Sequence, residues 1–142
     1  MPEKKLGIAI IGAGAIAEVH IQAYLQYKDL CEVRAVCDLF TDKANALIDR
    51  YQLPAQALKD FHEALARPDI DAVSICLPPS AHASTAIDAL QAGKHVICEK
   101  PMAGSLEECD AMLQAAQASG CLLSIVAQNR YKTPHQKVKH LL

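Results

Sequence analysis

The sequence has no CxxC pair and no surplus of charge of either sign. It also has no apolar stretch near the ~18 residues that a membrane span needs. Each absence removes a class of function. With 14 basic and 16 acidic residues the formal net charge is −2, so no basic face is on offer to nucleic acid or to an anionic membrane. The mildly basic tail at Lys132, Lys137 and Lys139 reads as a solvated helix face. The charged start, Met1 to Lys5, runs into an apolar stretch and then Gly12-Ala13-Gly14 with no cleavage site, so a signal peptide is not expected. Six cysteines stand at 31, 37, 76, 98, 109 and 121 without a histidine at ligand spacing. Cys37, Cys76, Cys98 and Cys121 lie in or beside apolar runs. They read as buried free thiols in a reducing, cytoplasmic compartment rather than as disulfides or metal ligands. No GxxxxGK[ST] occurs, which sets aside a P-loop ATPase or GTPase.

What is present is strand and helix in alternation. Leu6–Ile11 is a short apolar run bounded by Gly12, the pattern of a strand buried on both faces. Ile16, Ala17, His20, Ile21, Tyr24 and Leu25 follow at helical spacing. Glu32–Cys37 reads as a second strand ending at Asp38. Thr41 is placed to cap a helix carrying Ala44, Leu47, Ile48 and Tyr51, which Leu53-Pro54 stops. Asp60 and Glu63 have capping-box spacing for a short helix ending near Arg67-Pro68. Asp71–Leu77, His95–Cys98 and Leu122–Ala127 read as three more strands. Helices lie between them, one over Ala83–Leu90 stopped by Gly93, the other opened by Ser105 and Glu108 and stopped by Gly120. Thr133–Leu142 reads as a last helix. Strands separated by helices of this length predict βαβ units in a doubly wound, mainly parallel sheet with helices on both faces, a Rossmann-type α/β fold. The expected division is a nucleotide-binding domain over 1–128, with 129–142 beginning a linker or second domain.

Gly12-Ala13-Gly14-Ala15-Ile16-Ala17 fits GxGxxA between a strand and a helix. Gly12 permits the tight turn, Gly14 lets the backbone approach a pyrophosphate, and Ala17 lets the helix pack close to the sheet. The N–H groups of the helix start then face the phosphates. Asp38 follows Ala17 by 21 residues and closes the second strand, where a carboxylate can accept the ribose hydroxyls of an adenosine. The plain alternative is a turn acid before the Thr41 helix. An acid there disfavours a 2′-phosphate, so NAD is preferred, with NADP admitted because Lys43 is near. An S-adenosylmethionine-dependent methyltransferase uses a similar turn and acid, and these residues alone do not separate the two.

The downstream segments do. Leu77-Pro78-Pro79-Ser80-Ala81-His82, and then Ala92-Gly93-Lys94-His95-Val96 leading to Glu99-Lys100-Pro101, resemble the Gfo/Idh/MocA oxidoreductases from the glycine loop to Asn129-Arg130-Tyr131. The resemblance implies an N-terminal Rossmann domain that binds NAD or NADP, followed by an α/β domain with an open sheet. It implies hydride transfer at a hydroxyl or carbonyl carbon of sugars, polyols and related small molecules. It places Glu99, Lys100 and Pro101 beside the nicotinamide, with the lysine touching substrate and the bond before the proline often cis. Lys100 is thus the candidate catalytic residue. It also lies at the carboxyl end of a parallel strand, where an ammonium can polarise an oxygen; the plain alternative is a strand-end lysine paired with Glu99. Cofactor contacts are expected from Gly12, Gly14, Ala15, Ile16, Ala17, Asp38, Leu77, Pro78, His82, Glu99 and Lys100, with no metal. Ser80 and Pro79 depart from the Pro-Asn turn usual in relatives. His20 and His62 read as surface or packing residues, and His95 as structural.

In relatives the acid–base partners of the lysine come from the second domain, whereas Leu142 comes only eleven residues after Tyr131. The expectation is a cofactor half that binds NAD(H) with little turnover by itself and that self-associates through apolar surface left open. The alternative function is a stand-alone module that senses NAD(H).

Overall fold

A computed structural model describes residues 4–141; Met1–Glu3, and Leu142 at the end of the expected last helix, lie outside the described residues. Six strands form one parallel sheet in the order β3-β2-β1-β4-β5-β6. They are β1 (Leu6–Ile11), β2 (Cys31–Cys37), β3 (Gln56–Leu58), β4 (Ala72–Ile75), β5 (His95–Cys98) and β6 (Leu123–Ile125). The helices are α1 (Ala15–Gln26), α2 (Thr41–Tyr51), α3 (Phe61–Leu65), α4 (His82–Gln91), α5 (Leu106–Ser119) and α6 (Thr133–Leu141). The order turns back between β1 and β4, which makes this the doubly wound fold.

β1 explains why the chain must be layered this way. Its alternate residues enter two separate cores. Ala9 and Ile11 pack with Val73, Ile75, Leu90 and Met112, on the side of α3, α4 and α5. Ile8 and Ile10 pack with Ala17, Ile21, Val36 and Leu47, on the side of α1 and α2. A strand apolar at every position needs cover on both faces, and the crossover helices supply it.

Several expectations shift at their edges. The strand Gln56–Leu58 was not foreseen: three residues carry no period, and only pairing with Ala35–Cys37 of β2 extends them. β4 is shorter than the expected Asp71–Leu77, although Asp71 N–H and Cys76 N–H still donate to the carbonyls of Gly7 and Ile11. β6 is likewise trimmed. Thr41 is the first helical residue of α2 rather than its cap; Phe40 holds that position and no side chain caps the helix. Asp60 does cap α3, accepting from His62 N–H, but Glu63 does not reciprocate. At α5, Ser105 Oγ accepts from Glu108 N–H, and the Glu108 carboxylate reaches back past the cap to Gly104 N–H. Gly93 and Gly120 both take positive φ at helix ends.

Lys94 adds a fastening that its place after Gly93 does not announce. Its stem is buried, and Nζ donates to the carbonyls of Arg67 (2.9 Å) and Ile70 (2.8 Å). The ammonium therefore ties the turn before β4 to the start of β5. His95 Nδ1 accepts from Leu122 N–H and so aligns the edge strand.

Candidate cofactor site

All six strands are parallel, so their carboxyl ends lie on one edge of the sheet, and the loops of β1, β2, β4 and β5 meet there. The loop after β1 is the tightest of these. Gly12 has φ +97°, and a Cβ on it would stand 2.7 Å from the Cys76 carbonyl oxygen. Only glycine fits there. Gly14 is different. Its backbone is extended, and a Cβ would meet nothing within 4 Å. The space above Gly14 is therefore open, at the N-terminus of α1, which no side chain caps. Ala17 is wholly buried and lets α1 sit close to the sheet.

Asp38 is tied to this loop directly. Oδ2 accepts from Ala13 N–H at 2.8 Å, and Oδ1 accepts from Phe40 N–H at 2.9 Å. The carboxylate thus braces the glycine loop and the β2–α2 turn at once. Each oxygen keeps a second lone pair for a ligand hydroxyl.

Three hollows follow the edge. One of about 450 Å³ is walled by Asp38, Leu39, Phe61, His62, Leu77 and Thr85, among others. One of about 470 Å³ includes Gly12, Gly14, Ala15, Ile16, Asp38 and Pro78 in its walls. The third, about 340 Å³, lies between α1 and β5–β6, with Ile16, His20, Glu99 and Val126 in its walls. The first two share Asp38, Leu39, Leu77 and Pro78, and the last two share Ile16. Apolar hollows on either side of a side-chain-free phosphate cradle fit an extended dinucleotide. The sequence pointed to residues in each of them, Gly12 and Gly14 in the middle, Asp38, Leu77 and Pro78 beside the first and Glu99 in the third; it did not reveal the walls supplied by Phe61 and His62, which are far away along the chain.

Other expected residues fall elsewhere. His82, expected at the cofactor, is 1% exposed. Nδ1 lies 2.7 Å from the Pro101 carbonyl oxygen and Nε2 lies 2.9 Å from that of Leu77. A ring so enclosed joins the β4 loop to the Lys100–Pro101 turn, whose peptide bond is cis, and acts from behind the wall. Lys100 is exposed, and among the described residues its side chain forms no ion pair with Glu99. Glu99 is buried and bonds His20 instead: Oε1 lies 3.0 Å from His20 Nε2. His20 is thus neither a surface nor a plain packing residue. Its helical position gave no hint that the ring would meet β4 and β5.

Protonation is displaced at several groups. Burial pushes the thiols of Cys37, Cys76 and Cys98 up to about 12, so these cysteines at the strand ends are not nucleophiles. The Asp60 hydrogen bond, with Asp88 beyond it, raises His62 above its usual range. No cluster of three His, Cys, Asp or Glu side chains among the described residues is placed to hold a metal. No helix among them is long and apolar enough to cross a membrane.

Sheet order, glycine cradle and strand-end acid together define a dinucleotide-binding Rossmann domain. The chain belongs to the Gfo/Idh/MocA oxidoreductase family, whose NAD-binding Rossmann-fold model matches residues 6–127. It is 32% identical over 138 residues to an inositol 2-dehydrogenase of Salmonella paratyphi B, covering 96% of this chain and 41% of that protein. Among solved structures it resembles the WlbA dehydrogenase of Bordetella pertussis in complex with NADH and UDP-GlcNAcA (TM-score 0.88, 32% identity, covering 96% of this chain and 41% of that one). It also resembles KijD10, a 3-ketoreductase of Actinomadura kijaniata in complex with NADP (TM-score 0.85, 28% identity, covering 96% and 43%). The chain therefore spans about two fifths of the length of these relatives.

Proposed function

We propose that this chain is the cofactor half of a dehydrogenase that moves a hydride between a nicotinamide and a hydroxyl or carbonyl carbon of a sugar, polyol or related small molecule. The observation that carries the proposal is the open cradle over Gly14, braced through Ala13 by the same acid that stands at the adenosine-side hollow. In this reading the free N–H groups at the start of α1 hold the pyrophosphate. Asp38 accepts the ribose hydroxyls and disfavours a 2′-phosphate. Leu77 and Pro78 form the wall between the adenosine and phosphate hollows. Bound NAD supplies the hydride acceptor. Lys100, at the end of β5, donates to the substrate oxygen and polarises the bond to the reacting carbon.

Residues 129–142 begin the passage toward the part of the enzyme that closes over substrate. A polypeptide of these 142 residues leaves the hollow beside Glu99 open to water, so it binds NADH but turns substrate over slowly. Side-by-side fluorescence titrations with NADH and NADPH test the reading. Saturable binding with NADH the tighter ligand is expected. No response to either nucleotide would overturn it.

A further inference from the structure

Resting on that reading, we propose that His20 is a positioning residue for the nicotinamide end of the site: with Ser74 behind it, it holds Glu99 so that Glu99 fixes the Lys100 peptide.

The bonds run in one consistent direction. Tyr24 O–H donates to Ser74 Oγ at 3.2 Å, and Ser74 Oγ lies 2.6 Å from His20 Nδ1. His20 Nε2 lies 3.0 Å from Glu99 Oε1, and Lys100 N–H donates to Glu99 Oε2 at 3.2 Å. A carboxylate oxygen only accepts, so Nε2 carries the ring proton and donates to it. Nδ1 is then the acceptor for the Ser74 hydroxyl, and the hydroxyl's own lone pair receives the Tyr24 proton. One tautomer satisfies every partner, and no buried side-chain nitrogen or oxygen among the described residues lacks one.

The relay ties α1 through side chains to β4 and to the end of β5, two strands already paired side by side in the sheet. Satisfied chains of this kind are stiff, because moving one member leaves the others without partners. The His20 and Glu99 side chains are each about 10% exposed, and both wall the hollow between α1 and β5–β6. Glu99 therefore presents a fixed face to that hollow while its other oxygen holds the peptide from which Lys100 projects. A serine, histidine and acid in contact also suggest a hydrolytic triad. That is excluded here, because Ser74 is wholly buried and no substrate carbon can reach its hydroxyl.

The test compares NADH with ADP-ribose, which shares the adenosine and both phosphates but has no nicotinamide. His20→Leu is expected to weaken NADH roughly five- to tenfold, the scale of one ordinary hydrogen bond, with ADP-ribose affinity unchanged. The Lys100 amide resonance should move in the same variant. His20→Gln, whose amide reaches toward Glu99 as Nε2 does, should restore both. Equal loss for the two ligands, or unchanged NADH affinity with an unmoved Lys100 amide, would overturn the proposal. If His20→Leu does not fold, Ser74→Ala removes the support behind the ring and should give the same pattern at smaller size; its absence there would overturn the proposal too. Should neither ligand bind the unaltered chain, the cofactor reading fails, and the Lys100 amide still decides whether His20 positions that peptide.

Discussion

Asp38 binds main chain with both oxygens, and this makes its replacement informative. Asp38→Ala removes a ligand contact and frees Ala13 N–H at once. NADH affinity should fall about 10- to 100-fold, as for a hydrogen bond to a charged group, while NADPH, whose phosphate the acid repels, should lose less. Parallel titrations of the two nucleotides check this. The two glycines of the loop should separate folding from binding. Gly12→Ala forces a positive φ on alanine and drives its Cβ into the Cys76 carbonyl. The cost is about 1–3 kcal/mol, a fall in melting temperature of several degrees by circular dichroism. Gly14→Ala puts a methyl into open space, so its melting temperature should hold while NADH binding drops.

Among the elements, the fastening of β4 and β5 by Lys94 is the most exposed to test. Lys94→Met keeps the apolar stem but leaves the Arg67 and Ile70 carbonyls without their donor. A loss of about 1–3 kcal/mol is expected in urea unfolding; an unchanged midpoint would mean that water replaces the ammonium at no cost. This is also the scale at which the sequence is least readable. Strands β1, β2 and β5 and the helices α1, α4 and α5 declare themselves through apolar period, and β1, α4 and α5 also through their stops at Gly12, Gly93 and Gly120. β3 does not, because three residues have no period and its conformation comes from β2. The site divides the same way. Gly12, Gly14 and Asp38 are contiguous with recognisable turns and could be found one at a time. His20 could not, because its role arises from meeting Ser74 and Glu99, 54 and 79 residues away. The same holds for His82, whose burial between two loops no local pattern encodes.

For the molecule as a whole, acid and thiol chemistry offer two checks. Arg67 holds Asp69 with a side-chain pair, drawing its carboxyl from 3.8 down to about 2. A depressed folded-state value means that this stabilisation is complete above pH 3.8 and is lost as pH falls through about 2. Asp69→Asn should flatten that part of the acid-unfolding curve. The six cysteines are all free, and three of them, Cys37, Cys76 and Cys98, are buried with thiols near 12. A disulfide reagent at neutral pH should therefore modify Cys109 and Cys121 readily and these three only after denaturation, as intact-mass spectra would report.

The reversal of strand order between β1 and β4 carries a mechanical consequence. Both end hollows straddle that joint: the adenosine hollow takes walls from the ends of β1 to β3 and from α4, and the hollow beside Glu99 takes them from α1 and from β5–β6. A single long ligand lying across both is a rivet through the joint. Amide hydrogens of β2 and of β5, strands that never touch, should then exchange more slowly in concert once it is bound.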